Sequence, residues 1–286
     1  VPEGHTIHAL ADRLGGAFGG HVVAASSPQG RFSEEARRLD GEVVDEAAAV
    51  GKHLFVSMGD ERLHVHLGLI GSFVVKPLSG LEPPPARGAL RLRLLTENHV
   101  ADLRGPIVCE LVDAERREAI ETRLGPDPLD PTSDPDRSWS RIRLRRKTIA
   151  ELLMDQAIVA GVGNVYRCEV LHRHRVNPFT TGTQLRQSTW QALWDDLLRL
   201  MPLGVAFSQI LTMEDQVTQA EAMMQDGSAA AITRASTGER LGGHFERRFA
   251  VYKRAGEACL RCSKRLRDKE IAGRRLYWCP SCQRRR

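Results

Sequence analysis

Cys259-Leu260-Arg261-Cys262 and, sixteen residues further on, Cys279-Pro280-Ser281-Cys282 decide the architecture of the chain's C-terminal end. Two close thiol pairs joined by a segment long enough to double back supply four thiolates to one tetrahedral ion, and Zn2+ suits that donor set. The alternative, a disulfide framework, belongs to oxidising compartments. No stretch approaches the roughly 20 apolar residues of a membrane span, and no basic-then-apolar leader is present. The expectation is therefore a cytoplasmic protein carrying one structural zinc, with no membrane partner. Cys109 and Cys168 stand apart from the pairs and read as buried thiols.

The charge around this ribbon is lopsided. The net charge is +5, yet residues 1–133 hold 14 basic and 20 acidic side chains, leaving 27 and 16 for residues 134–286. From Lys253 onward there are 12 basic and 3 acidic residues, a density that attracts polyanions through counterion release. Nucleic acid is the expected partner; a solubilising tail is the plainer alternative. At 286 residues the chain has length for two ordinary domains.

Apolar periodicity divides the rest. Ile7, Leu10, Leu14 and Phe18 recur at helical spacing and stop at Gly19-Gly20, so the chain opens with an amphipathic helix. From about 21 to 123 alternation takes over: Leu54/Val56/Met58, a Gly59-Asp60 turn, Leu63/Val65/Leu67, then Leu90/Leu92/Leu94 interleaved with Arg91 and Arg93. That predicts antiparallel strands in a sandwich, hence an α+β fold. Gly125-Pro126-Asp127-Pro128-Leu129-Asp130-Pro131 breaks every pattern and marks a boundary. The domains expected are 1–125 (helix and sandwich), 126–250 (helical) and 251–286 (zinc ribbon). Ile149, Leu152 and Leu153 share a helical face. Gly161-Val162-Gly163-Asn164 then feeds a helix through Val165, Cys168 and Leu171, a turn that suits a phosphate or simply joins two helices. Leu185, Trp190, Leu193, Trp194 and Leu197 read as core. Residues 213–245 lack a pattern and read as a mobile loop or insertion.

Pro2-Glu3-Gly4-His5 at the other end offers chemistry. Val1 is how a GUG start codon is conceptually translated, and an initiator methionine before proline is normally trimmed, which would leave Pro2 with a free secondary amine titrating in the range of about 7.7–8.0 usual for α-amino groups. Attack of such an amine on the anomeric carbon of a sugar gives an iminium ion, which withdraws electrons from the neighbouring carbon. Glu3 beside it would move the protons. The plainer alternative is a helix-start signal. His64 and His66 lie on one strand face, but no third ligand accompanies them, and zinc is not expected there.

Together, Pro2-Glu3-Gly4, Gly51-Lys52-His53, His66-Leu67-Gly68-Leu69-Ile70-Gly71, Gly161-Val162-Gly163-Asn164 and the four-cysteine ribbon resemble the formamidopyrimidine-DNA glycosylase/endonuclease VIII family, from residue 2 to residue 283, closest to an actinobacterial type of endonuclease VIII. The resemblance implies an N-terminal helix and β-sandwich followed by a helix–two-turn–helix domain with a zinc finger, in a base-excision-repair enzyme, expected as a monomer associated with a bacterial nucleoid. Its partner would be double-stranded DNA with oxidised bases or abasic sites. It implies Pro2 as Schiff-base nucleophile, Glu3 as acid/base, Lys52 assisting base release and elimination, and Arg274 reaching the lesion phosphates for the second elimination. It further implies Leu69 as the wedge filling the gap left by a flipped nucleotide, and Asn164 and Arg123 as DNA contacts. Without the resemblance, Lys52 would read as a solvated charge and Leu69 as core. Two departures matter. Asp102-Leu103-Arg104-Gly105-Pro106 lacks the phenylalanine that purine-acting members place beside the opposite base, and Leu69 replaces their methionine wedge. Both tilt the expectation toward oxidised pyrimidines. An 8-oxoguanine/formamidopyrimidine type of purine glycosylase and a non-catalytic zinc-ribbon protein that binds damaged DNA remain as alternatives.

Overall fold

The stripe Ile7, Leu10, Leu14, Phe18 is the buried face of α1 (Gly4–Phe18) in a computed structural model that describes residues 2–78, 80, 82–229 and 243–284. The chain forms two compact units, dividing between Thr122 and Arg123. Among the described residues no helix is long and apolar enough to cross a membrane.

The first unit continues with β1 (Ala24–Ser26), α2 (Ser33–Leu39), β2 (Val44–Val50), β3 (His53–Met58), β4 (Glu61–His66), β5 (Ser72–Pro77), β6 (Leu90–Leu95), β7 (His99–Arg104), β8 (Val108–Leu111) and α3 (Ala114–Thr122). The strands make two four-stranded antiparallel sheets, in the orders β1-β6-β7-β5 and β2-β3-β4-β8. The β2–β3–β4 meander turns twice on two residues, Gly51-Lys52 and Gly59-Asp60. Each turn opens on a glycine with positive φ (+59° and +55°), the conformation that glycine adopts without the Cβ clash. Leu54, Val56, Met58, Leu63 and Val65 from one sheet meet Phe73, Leu92, Leu94, Ala101 and Leu103 from the other, with α1 in the same core. The alternation read from the sequence therefore reports the inner faces.

It does not report the outer ones. Arg93, which alternates with the inward leucines of β6, is buried and held by Asp102 through two hydrogen bonds, Nε–Oδ1 at 2.7 Å and Nη2–Oδ2 at 2.8 Å. Arg104 adds a third bond to Asp102 Oδ2 at 2.8 Å. Burial alone would raise the Asp102 carboxyl, but the hydrogen bonds from Arg93 and Arg104 outweigh it and hold it below the usual carboxylate range. Phe55 and His64, also on the side of their strands away from the core, are 1% and 3% exposed. The guanidinium of Arg117, from α3, lies 5.0 Å over the Phe55 ring. That helix has no buried residue and no apolar stripe, so periodicity could not reveal it; arginine stems cover apolar surface while their heads stay wet.

The second unit contains α4 (Pro135–Ile142), α5 (Ile149–Leu152), α6 (Asn164–Arg173), α7 (Gln187–Phe207), α8 (Glu214–Gln225) and the hairpin β9 (Arg267–Ile271) and β10 (Arg274–Trp278). Its core runs without interruption from Ile149, Val165 and Leu171 through Trp190, Trp194 and Leu197 to Leu266 and Leu276 of the ribbon. Local signals fix the helix starts: Asp134 caps α4, with Pro135 in its first turn, and Thr148 and Glu151 form a capping box on α5. Leu124 to Pro128 is buried, with Gly125 so close to the Ile158 carbonyl that a Cβ would lie 2.3 Å from its oxygen. The expectation of a mobile loop over 213–245 needs correction, since Glu214–Gln225 is a helix that buries Gln216, Val217 and Ala220; residues 230–242 lie outside the described residues. The half-buried Cys109 likewise departs from the buried thiol expected, whereas Cys168 is buried.

Asp102→Ala should strip a buried guanidinium of its partner and destabilise the first unit by about 3–5 kcal/mol. Because the Asp102 carboxyl is depressed, its contribution is fully present above the unfolded value of about 3.9 and is lost as pH falls through the folded value; the variant's deficit should shrink accordingly. All four tryptophans lie beyond Arg123, so denaturant unfolding followed by far-UV circular dichroism and by exchange of the β6 and β7 amides is the measurement.

Candidate active site and zinc ribbon

In the first unit, Pro2 is half-buried and Glu3 is 0% exposed. Glu3 takes extended backbone angles (φ −120°, ψ 177°) at the N-cap of α1 and accepts the Thr6 N–H on its carbonyl at 2.9 Å. A buried acidic residue thus follows Pro2 directly in the chain, at the positive end of a 15-residue helix. His5, in the first turn of α1, is pushed down to about 3 chiefly by burial and is neutral at physiological pH. Val1 lies outside the described residues.

Lys52 occupies the β2–β3 turn and Leu69 the β4–β5 turn. His66 links the two places: its Nδ1 accepts the Gly68 N–H at 3.0 Å, and its ring meets that of His53 edge-on at 4.9 Å. Gly71 N–H closes the Leu69 turn on the Leu67 carbonyl at 3.1 Å. Leu69 is 45% exposed and Ile70 89%, which removes the reading of Leu69 as core. Ile107 is 67% exposed and packs so tightly over Gly68 that a Cβ there would lie 2.7 Å from it.

In the second unit the structure brings Asn164 and the ribbon together. Asn164 Nδ2 donates to the carbonyl of Arg275 at 2.9 Å, while Oδ1 accepts from the buried Arg167 guanidinium. A carbonyl can only accept and a guanidinium can only donate, so these partners fix the amide's orientation. Arg274 follows the Ala272-Gly273 turn, where both residues have positive φ (+51° and +68°), as the tightest antiparallel hairpins require. Arg275 pairs with Asp268 at 3.3 Å; among the described residues Arg274 has no carboxylate partner and donates to the Gly273 carbonyl at 3.0 Å. Arg123 is exposed at the start of the unit, apart from this cluster in sequence and element.

The four cysteine sulfurs lie within 4.8 Å of one another, Cys259–Cys282 at 3.9 Å and Cys262–Cys279 at 3.4 Å. A tetrahedral zinc with bonds of about 2.3 Å needs sulfurs about 3.8 Å apart, so the site fits one Zn2+. His172 Nε2 stands 3.6 Å from Cys259 Sγ, where its N–H would support a thiolate. Among the described residues no other group of three or more histidine, cysteine or acidic side chains is close enough to hold a metal. His53 does join His64 and His66, a neighbour that reading the chain did not supply, although the Gly51-Lys52-His53 turn and the His64-x-His66 alternation carried the signal. Within this cluster His53 Nδ1 meets His64 Nε2, His64 Nδ1 meets Glu110, and His66 Nδ1 accepts the Gly68 N–H.

Residues 1–106 match the N-terminal domain of formamidopyrimidine-DNA glycosylase, residues 124–215 its H2TH domain, and residues 256–285 the zinc finger found in FPG and IleRS. The chain belongs to the formamidopyrimidine-DNA glycosylase/endonuclease VIII family. It is 40% identical to Endonuclease 8 1 of Mycobacterium tuberculosis, covering 99% of this chain and 100% of that one. It is 34% identical to the formamidopyrimidine-DNA glycosylase of Thermomicrobium roseum over 82% and 79% of the two chains. The fold is also that of Lactococcus lactis Fpg (MutM) solved with N7-benzyl-Fapy-dG DNA, with a TM-score of 0.76 at 21% identity over 99% and 100% of the chains. The family makes this chain a DNA glycosylase of base excision repair, on the endonuclease VIII-like side.

One zinc per chain should be measurable by atomic absorption after chelation under denaturing conditions. Cys262→Ser should lose the metal together with amide protection over Arg267–Trp278, because so short a segment has too little core to order itself without it. Retained protection in metal-free Cys262→Ser would show that packing on the helices suffices.

Proposed function

We propose that the chain is a bifunctional DNA glycosylase and abasic-site lyase that removes oxidised bases, pyrimidines in preference, through the amine of Pro2. The observation that carries this is the fully buried Glu3 carboxyl next to Pro2 at the N-terminus of α1; a protein that only binds DNA has no need to bury a carboxyl there. The Pro2 nitrogen would attack C1′ of the damaged nucleotide as the bond to the base breaks and the departing base gains a proton. Ring opening then leaves an iminium between Pro2 and C1′. Its electron demand acidifies C2′, so loss of a C2′ proton expels the 3′ phosphate, and a second elimination expels the 5′ phosphate. Glu3 would carry protons in these steps and Lys52 would assist base release and elimination. Arg274 would hold the lesion phosphates, Asn164 and Arg123 would contact the DNA backbone, and Leu69 would fill the emptied stack.

Borohydride should trap this protein covalently on abasic-site DNA, since it reduces an iminium to a stable amine. Trapping by Pro2→Gly at the wild-type rate, or by protein shown by mass spectrometry to retain residue 1, would remove Pro2 from the mechanism. Glu3→Gln should lose base excision by about 10²–10⁴-fold while keeping most of its affinity for damaged DNA.

The identity shared with the Thermomicrobium formamidopyrimidine-DNA glycosylase favours a second reading, in which purines are preferred. Against it stands the Asp102–Arg104 segment, which has no aromatic side chain and in which Arg104 is tied to Asp102. Single-turnover excision of dihydrouracil or thymine glycol should therefore exceed that of 8-oxoguanine opposite cytosine; the reverse order would place the enzyme with the purine-acting branch.

A further inference from the structure

The outer face of the β2-β3-β4-β8 sheet holds titratable groups that the proposed chemistry leaves unused. His64 is paired across the strands with Glu110 on one side and Phe55 on the other. Its Nδ1 lies 3.0 Å from Glu110 Oε1 and its Nε2 lies 2.9 Å from His53 Nδ1. The rings of Phe55, His64 and His53 stack in succession, with centroids 4.9 and 5.1 Å apart. An ionised carboxylate only accepts, so Glu110 sets the direction of the whole chain. His64 donates from Nδ1 and presents a lone pair at Nε2; His53 donates from Nδ1 into it and keeps a lone pair at its own Nε2.

His53 directly follows Lys52, and the Lys52 charge acts on both His53 and His66. Burial, then the neighbouring imidazoles and Lys52, push His53 down to about 3. Burial also lowers His64 and His66, so the rings are neutral and do not repel the ammonium. Apolar residues would pack this face as well, but they would not fix a single tautomer.

We propose that Glu110, His64 and His53 form a positioning chain that anchors the residue next to Lys52 and so holds the Lys52 amine in one place for base release and elimination. The proposal rests on the reading of Lys52 as a participant in catalysis. None of the three touches the reacting atoms; their effect passes through Lys52. Anchoring matters because misplacing a reacting group by about 1 Å can cost about 100-fold in rate.

The test uses zinc-loaded full-length protein on an abasic-site duplex for elimination and on a dihydrouracil duplex for base release, with His64→Phe, Glu110→Leu, Glu110→Gln, Lys52→Ala and the double variant Lys52→Ala/His64→Phe. His64→Phe and Glu110→Leu should lower kcat about 10–100-fold with KM unchanged. Glu110→Gln should recover most of that loss, because its amide oxygen still accepts the His64 N–H. The double variant should be no slower than Lys52→Ala, since the chain acts only through that amine; independent effects would multiply. Nitrogen-15 NMR of the imidazoles should report His53 and His64 as Nδ1–H tautomers in the unmodified protein. Wild-type kcat in Glu110→Leu and His64→Phe alongside an impaired Lys52→Ala overturns the positioning chain and leaves the Lys52 reading intact, as does a multiplicative double variant. Wild-type rates in Lys52→Ala on both duplexes overturn the Lys52 reading and the chain with it. Glu110 lies on an edge strand with its side chain 42% exposed, so its two variants keep the test decisive even where His64→Phe fails to fold.

Discussion

The fully buried carboxylate of Glu169, halfway along α6, accepts the backbone N–H groups of Ala250, Val251 and Tyr252 at 2.8–2.9 Å and the hydroxyl of Thr212 at 3.1 Å. Burial pushes this carboxyl up, against the pull of those backbone donors. The bonds pin the strand of chain that leads into the ribbon onto a helix that is itself buried along almost its whole length. Other residues of the same helix continue the attachment. Asn164 holds the Arg275 carbonyl, Cys168 Sγ accepts the Tyr277 N–H at 3.4 Å, and Cys259 lies against His172. The ribbon is mounted on α6 along its length, and the placement of Arg274 depends on that mounting more than on the short hairpin itself.

Such a design explains why Asn164 is 9% exposed. A phosphate-contacting amide left loose on a turn would lose rotamer freedom on binding. Tied to Arg275 and Arg167, it is ordered before any ligand arrives. The same bond couples the start of α6 to the residue beside Arg274, so two proposed backbone contacts form one rigid element. Zinc would join the two cysteine pairs at the end of the ribbon where Cys259 meets His172 of α6.

How much of this was legible depends on the kind of signal each residue leaves. Thiol spacing is a local code, so Cys259, Cys262, Cys279 and Cys282 could be read directly, and the structure brings them to zinc-ligand distance. Inner-face alternation was equally plain in β3, β4 and β6. The outer faces were not, because alternation cannot tell solvent from a covering helix: Arg93 is buried by a partner nine residues away, and His64 lies beneath the side of the sheet that Arg117 shields. α3 escaped because a short helix with no buried residue has no apolar period, and α2 because its buried Ala36 and Leu39 make too brief a stripe. Glu169 has no sequence signature, since three of its four donors are backbone groups more than 80 residues away and the fourth is the distant Thr212 hydroxyl.

Asp102 shows how one buried acid narrows what a neighbouring loop can do. It neutralises Arg93, which would otherwise be an unpaired buried cation, and in doing so also claims the Arg104 guanidinium. An arginine held to its own sheet by a 2.8 Å charged hydrogen bond must lose that bond before it can meet a nucleobase, and such bonds are worth about 1.5–3 kcal/mol. The exposed apolar side chains next to this strand end, Leu69, Ile70 and Ile107, have no comparable tether. In this chain the segment around Arg104 is therefore better suited to filling space than to reading a base by hydrogen bonds. Under the proposed function, that balance favours recognition through the shape of an emptied stack over inspection of the partner strand.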